Sequence, residues 1–335
     1  MINCPACGSS AISSEIKLSV SAEESAQHFV LAEGDKERHN QLVKHISSLW
    51  KEPKCEIREC NACTLEFAWP FVAGDGVFYN LAYPHVDYPK VRWEWSRTVD
   101  ILSKLDTKGK KGLEIGSGFG YFLDLVCPRF FKYSDMVAIE YNEVAALRLR
   151  EKGCSVFGQD IREPKFNEFE NSFDFVFMFQ VLEHMDNLQA LFAQLKTITR
   201  EGAHLFIAVP NSARTAFNEN NKSLLDMPPN HISRWSANAF KSLAEKSGLD
   251  LLAIAEEPMS FFDFIKQDLI YSHMRRSQVS DSLSNRVRSK PRSRLRRMEE
   301  AFLTLLYSPT RFGTWAKAFG RKNLGNSILV HLRRK

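Results

Sequence analysis

Residues 111–123 read KGLEIGSGFGYFL: a short apolar run, three glycines two positions apart, then the apolar start of a helix. A strand entering a helix through a glycine turn leaves free backbone amides at the helix N-terminus, where a nucleotide-bearing ligand can approach closely. A dinucleotide fingerprint needs G-x-G-x-x-G, whereas Gly116, Gly118 and Gly120 are spaced G-x-G-x-G and Tyr121 stands where the third glycine would fall. Glu114 lies two residues before the first glycine, inside the strand. A carboxylate there repels a pyrophosphate and favours a ligand with positive charge.

S-adenosylmethionine, with its ammonium and sulfonium groups, has that charge. Outward from the loop, apolar runs alternate with amphipathic segments from about 98 to 257, the pattern of a parallel sheet covered by helices. Strands are expected at KGLEIG, MVAIEY, CSVFG, FDFVFMFQ, AHLFIAVP and LDLLAIAEE, with helices at 118–127, 143–152, 187–200 and 236–247. Gly153, Gly202 and Gly248 are read as the caps that end three of those helices. NSILVHLRR at 326–334 resumes the strand pattern after an interruption at 258–323.

Glu114 to Gly120 resembles motif I of the class I S-adenosylmethionine-dependent methyltransferases, E-x-G-x-G-x-G, and FDFVFMFQVLEHM resembles their motif IV. The resemblance covers about 100 to 257. It implies an α/β, Rossmann-like seven-stranded sheet whose last strand is antiparallel. It also implies that Glu140, about 20 residues past the glycines, binds the ribose hydroxyls, and that Asp160 meets the adenine amino group. Tyr141, Ile161 and Gln180 complete the cofactor-binding set with Glu114 and the three glycines.

Cys4 and Cys7 in CPACG, with Cys60 and Cys63 in CNAC, form two Cys-x-x-Cys pairs, the spacing of a structural Cys₄ zinc site. Four thiolates leave no open coordination position, so this zinc is structural. Thr64 replaces the glycine usual after the second pair, and Cys55 is a competing thiol. The arrangement is similar to that of bacterial methyltransferases with an N-terminal zinc-binding ribbon, often associated with sugar, glycan or secondary-metabolite modification. The domain organisation expected is a ribbon at 1–70, an aromatic connector or lid at 71–97, a methyltransferase domain at 98–257 plus 324–335, and a basic helical insertion at 258–323.

The chain has 335 residues, 44% of them hydrophobic, enough for a full core. No apolar run approaches the length of a membrane span, and MINCPACGSS lacks the features of a secretory signal, so a cytoplasmic enzyme with reduced thiols is expected. Between Arg275 and Arg297 nine basic residues face Asp281 alone, a local +8; the other 312 residues therefore carry −3 of the total +5. Beyond this stretch Leu295, Met298, Phe302 and Leu306, then Phe312, Trp315 and Phe319, recur at helical spacing. Such stripes pack on the core or a second subunit, or lie on the inner face of a membrane with the basic residues toward its head groups. Aromatics are not interleaved through 275–297, which argues against base recognition and nucleic-acid binding. Nothing in the pattern speaks to oligomeric state.

Methyl transfer needs alignment of the reacting atoms, exclusion of water and, for a hydroxyl acceptor, a base. The end of the FDFVFMFQ strand delivers Gln180, Glu183 and His184, and the long segment after AHLFIAVP contains MPPNHISRW. His231 is the preferred base because imidazole titrates near neutrality; the alternative is a loop histidine held by a backbone carbonyl. His184 joins it as a catalytic candidate that orders the strand–helix turn. Tyr83, Tyr88 and Asn230 are expected to contact substrate; Tyr79 and Trp93 either line the same cleft or cement the domains, as does Trp95. Ubiquinone-type O-methyltransferases carry a metal-associated E-x-x-E-H at this point. Gln180 occupies its first position, which argues against a catalytic metal. The function expected is methylation of a small-molecule or glycan-like acceptor, including a lipid-linked one; the contrasting class is a nucleic-acid-binding or scaffolding protein that retains the fold.

Overall fold

The structure, a computed structural model, describes residues 2–32, 34–83, 89–220, 226–277, 279–321 and 324–335. Its strands are β1 (Ile12–Ser21), β2 (Lys54–Cys60), β3 (Glu66–Trp69), β4 (Gly112–Ile115), β5 (Met136–Ile139) and β6 (Ser155–Phe157). They continue as β7 (Phe173–Phe179), β8 (Thr199–Pro210), β9 (Ser233–Arg234), β10 (Leu249–Glu256) and β11 (Ser327–Arg334).

Every residue of β4, β5 and β7 is buried, as expected of strands with helices on both faces. These strands belong to a seven-stranded sheet ordered β10-β11-β8-β7-β4-β5-β6. All pairings from β8 to β6 are parallel, and β11 alone runs antiparallel to both its neighbours. That is the Rossmann-like mixed sheet typical of class I methyltransferases. Alternation along β7 splits the core in two. Phe175, Phe177 and Phe179 face one set of helices, where Phe177 stacks on Phe206 at 5.6 Å and Phe206 on His331 at 4.4 Å. Val176 and Met178 face the other side, in one cluster with Phe240 and Leu243.

The helices between these strands follow the expected pattern, at Tyr121–Val126, Glu143–Glu151, Leu188–Ile198 and Ala237–Ser247. Gly248, at φ +68, caps the last of them. Gly202 does not cap a helix. The helix before it ends at Ile198 and β8 begins at Thr199, so Gly202, at φ +78, lies where the register between β7 and β8 jumps from Phe173↔Thr199 to Phe175↔His204. A bulge there needs the left-handed backbone that the cap was expected to need.

The N-terminal region forms a second sheet, β1-β2-β3-β9. Helices Ala22–Phe29 and Lys36–Trp50 fill the polar spacer, the first opened by a Ser21–Glu24 capping box. They bury Ala26, Leu42, Ile46 and Trp50 against Ile57 and Phe78, and also against Met227 and Ile232 of the MPPNHISRW loop. β9 comes from that loop as well, pairing Ser233 with Phe67 and Arg234 with Glu66. Residues 258–323 contain helices Phe261–Ser277, Leu283–Arg288, Arg294–Tyr307 and Phe312–Ala318. A buried Asp268 ties the first of these to the last, accepting bonds from Arg311 (2.7 and 3.0 Å) and Trp315 Nε1 (2.8 Å). Leu295, Met298, Phe302, Leu306, Phe312 and Phe319 are exposed. Among the described residues no helix is long and apolar enough to cross a membrane.

Candidate active site

The glycine loop closes on β5: Gly116 N–H and Ser117 N–H both donate to the Ile139 carbonyl, at 2.9 and 3.2 Å. All three glycines have positive φ (73°, 53° and 71°). A Cβ on Gly116 would also stand 2.4 Å from Val181 Cγ2, so the loop lies directly against the residues that follow β7. Glu140 accepts from Gly118 N–H at 2.6 Å and from Asn142 N–H at 2.7 Å, bridging the loop to the helix after β5. Burial raises its carboxyl, although both amide bonds favour the charged form.

Glu114 is fully buried and its Oε2 has no hydrogen-bond partner. Burial raises its carboxyl well above the usual range, with Glu140 and Asp124 adding repulsion. An orphaned buried carboxylate beside a glycine loop fits a cationic ligand, so the residues present fit S-adenosylmethionine. Asp160 is only half free for a ligand. Burial raises its pKa, but bidentate bonds from Arg162 (2.8 and 2.6 Å) outweigh that and lower it overall. Arg162 is itself held by Asp186, a support that pattern reading missed. Ile161 is buried and Tyr141 exposed beside Glu140. Gln180, at φ +58, directs its amide to Glu94 and Ser327 (both 3.1 Å), so its side chain braces the core.

Past Gln180 the chain turns through Leu182–His184, and the loop from β9 arrives to meet it: Ile232 N–H donates to the Glu183 carbonyl at 2.8 Å. The N-terminal region and the connector fix that loop at three points. Ser25 Oγ donates to Pro228 O (2.6 Å), Gly74 N–H to Pro229 O (2.9 Å), and Asn230 Nδ2 to Tyr83 Oη (3.2 Å). His184 and His231 are thereby brought edge to face, with ring centroids 4.7 Å apart. His184 Nδ1 bonds the Asn230 carbonyl at 2.7 Å, with Tyr79 Oη at 3.1 Å, and His231 Nδ1 bonds Asp226 Oδ1 at 2.7 Å. Burial and then His231 hold the His184 imidazole neutral, down at about 3. Burial also works against charge on His231, but Asp226 more than offsets it and raises its pKa. Asp226 was absent from the sequence reading; an acid five residues before the preferred base was the available signal.

Tyr79 and Tyr83 stack at 6.3 Å on the flank of this cluster. Trp93 and Trp95 pack instead into the helix-covered face of the sheet. Tyr88 lies outside the described residues. The anchoring of the catalytic candidates by Ser25, Gly74 and Tyr83 was not legible in the sequence, because none of these bonds is local.

The four pair cysteines also converge. Their sulfurs lie within 4.8 Å of one another, with Cys4–Cys63 and Cys7–Cys60 each at 3.6 Å. Tetrahedral zinc, with Zn–S bonds of about 2.3 Å, sets its sulfurs about 3.8 Å apart, so the spacing fits that ion. Both pairs end in the same turn: Gly8 N–H bonds Cys4 O and Thr64 N–H bonds Cys60 O, each at 2.8 Å, with positive φ at Gly8 and Thr64. Cys55 is buried elsewhere, against Ile57 and Phe78, and burial pushes its thiol up to about 12.

A sequence-family model described as a methyltransferase domain matches residues 90–254. No curated protein matches the chain. Among solved structures, it resembles a SAM-dependent methyltransferase from Archaeoglobus fulgidus (15% identity, 72% of this chain and 92% of that one, TM-score 0.43). It also resembles an S-adenosylmethionine-dependent methyltransferase from Mesorhizobium loti (12% identity, 70% and 96%, TM-score 0.41).

Proposed function

We propose that the protein is an S-adenosylmethionine-dependent methyltransferase and that it methylates a hydroxyl of a small, glycan-like acceptor. The acceptor is held between the tyrosines of the connector and His231. The observation that carries this reading is the Asp226–His231 pair, anchored at 2.7 Å beside His184, which follows Val181, the residue against which Gly116 packs. The bound cofactor would be held by Glu114, Glu140, the glycines and Asp160, and it supplies an electrophilic methyl group. The chain's own residues supply position and proton transfer. With Nδ1 committed to Asp226, His231 presents Nε2 to accept the acceptor's proton, and the Asp226 carboxylate stabilises the imidazolium so formed. His184 fixes the Asn230 carbonyl and hence the floor of the loop. Stacked Tyr79 and Tyr83, with the Asn230 amide, offer an apolar face with polar edges, which suits a sugar ring.

Labelled S-adenosylmethionine incubated with the small-molecule fraction of cell extract identifies the product. On that acceptor His231→Ala should keep cofactor affinity while turnover falls by about 10²–10⁴-fold. A turnover like that of the unaltered protein removes His231 from the mechanism.

We also propose that residues 1–70 form a zinc-binding ribbon on Cys4, Cys7, Cys60 and Cys63, supported by the sulfur spacing. The protein is proposed to be cytoplasmic, with the insertion resting on the inner face of the membrane. The exposed stripe of Leu295, Met298, Phe302 and Leu306 beside the arginines supports that contact and a lipid-linked acceptor. Co-sedimentation with anionic but not neutral vesicles tests it.

A further inference from the structure

We infer that Glu183, His184 and His231 bind a divalent cation of the zinc, manganese and iron(II) series beside the acceptor. One ligand atom from each of the three lies within 4.8 Å of the others. A carbonyl oxygen only accepts, so His184 Nδ1, at 2.7 Å from Asn230 O, carries its ring proton. The Asp226 carboxylate makes the same assignment for His231 Nδ1. Both rings therefore keep Nε2 for a ligand, and among the described residues no hydrogen bond reaches either atom. Histidines whose Nδ1–H is fixed by a carbonyl and a carboxylate are oriented as metal ligands commonly are.

Glu183 is the second, independent observation. It is 1% exposed and neither carboxylate oxygen has a hydrogen-bond partner. Its Oε1 lies 3.8 Å from His184 Nε2. A buried carboxylate without a partner is costly unless a proton or a cation meets it. The nearby cations are taken: Arg92 sits against Glu94 at 3.6 Å, and Arg234 is held by Glu219 and Glu66. Glu183, His184 and His231 bring a carboxylate and two imidazoles to one point, a donor set that a divalent cation suits. Two nitrogens and a carboxylate oxygen select zinc, manganese or iron(II) over magnesium or calcium.

This differs from the E-x-x-E-H arrangement, since the Gln180 amide is engaged by Glu94 and Ser327, and the third ligand comes from the distant loop. The inference rests on the reading of this corner as the acceptor's site. Loading displaces a proton from His231 if it carries one. A cation held there would lower the pKa of an acceptor hydroxyl, whose proton would leave to solvent water, since Nε2 of His231 would be a ligand and no longer the base.

The test is a manganese titration of the full-length protein followed by electron paramagnetic resonance, without S-adenosylmethionine. Manganese reports this site because it prefers nitrogen and oxygen ligands to the four thiolates. One bound manganese per chain is expected. Glu183→Gln and His184→Ala should weaken it by more than about 100-fold, and Asp226→Asn, acting through His231, by about 10–100-fold. Should Glu183→Gln not fold, His231→Gln reads the same loss. Absence of bound manganese in the unaltered protein, or binding unchanged by these variants, overturns the cation site. Loss of turnover in His231→Ala, in a protein that binds no manganese, leaves the base mechanism standing and removes only the cation.

Discussion

At the residue scale Thr64 shows what a local pattern leaves out. A β-branched residue at φ +61 is strained, which is why glycine is usual at this turn. Here the Thr64 hydroxyl bonds Ser236 Oγ at 2.6 Å, and Ser236 is the N-cap of helix Ala237–Ser247. Thr64→Ala should therefore destabilise by about 1 kcal/mol, since it loses the bond and keeps the strain. Thr64→Gly should come out near neutral because relief of strain offsets the lost bond, as read by urea unfolding. Marked stabilisation by glycine would show that the bond contributes nothing. The cofactor loop gives a second case. Gly118→Val, at φ +53, should abolish S-adenosylmethionine binding, whereas Glu140→Ala should weaken it by roughly 1–3 kcal/mol through the ribose and loop bonds together. Calorimetric titration checks both, and normal binding by Gly118→Val would mean the loop does not hold the cofactor.

At the scale of elements, the antiparallel junction of β8 and β11 carries its own pH response. His204 Nδ1 and His331 Nε2 face each other at 2.8 Å, one donating and one accepting, so a proton on both rings breaks the bond. Burial, then His204 and Arg333, pull His331 down from its ordinary value to about 4. Its contribution to stability is complete above about pH 6.5. It is lost as pH falls toward about 4, because the unfolded chain takes up a proton that the fold refuses. Screening discounts the full linkage, leaving about 2 kcal/mol lost between pH 7 and pH 4.5. His331→Phe should flatten part of that slope in urea titrations across this range. An unchanged slope would place the acid sensitivity in other groups.

At the scale of the molecule, the cysteine cluster belongs to the core that holds the seven-stranded sheet. Cys4, Cys60 and Cys63 share one buried cluster with Leu113, Phe240 and Leu243. A Cβ on Gly8 would stand 2.7 Å from Lys246 Nζ, on the same helix that Ser236 caps. Cys60→Ser should therefore remove zinc and lower the stability of the whole chain by on the order of 3 kcal/mol, in one transition. Metal analysis and urea unfolding read the two effects. Full zinc occupancy in that variant would rule out the ligand set.

Sequence alone determined the sheet, because periodicity is local: each all-buried run of β4, β5 and β7, each helix between them and the glycine loop is legible within its own few residues, and Glu114 and Glu140 follow from their places at that loop and at the end of β5. It also marked the four cysteines by their spacing, and His184 and His231 by residue type. The partners of those histidines were decided only in three dimensions. Asp226, Glu183 and the Asn230 carbonyl meet because β9 joins the N-terminal sheet and because Ser25, Gly74 and Tyr83 fix the loop. A buried carboxylate is recognised by the absence of a partner, as at Glu183, and that absence depends on what the rest of the chain packs around it.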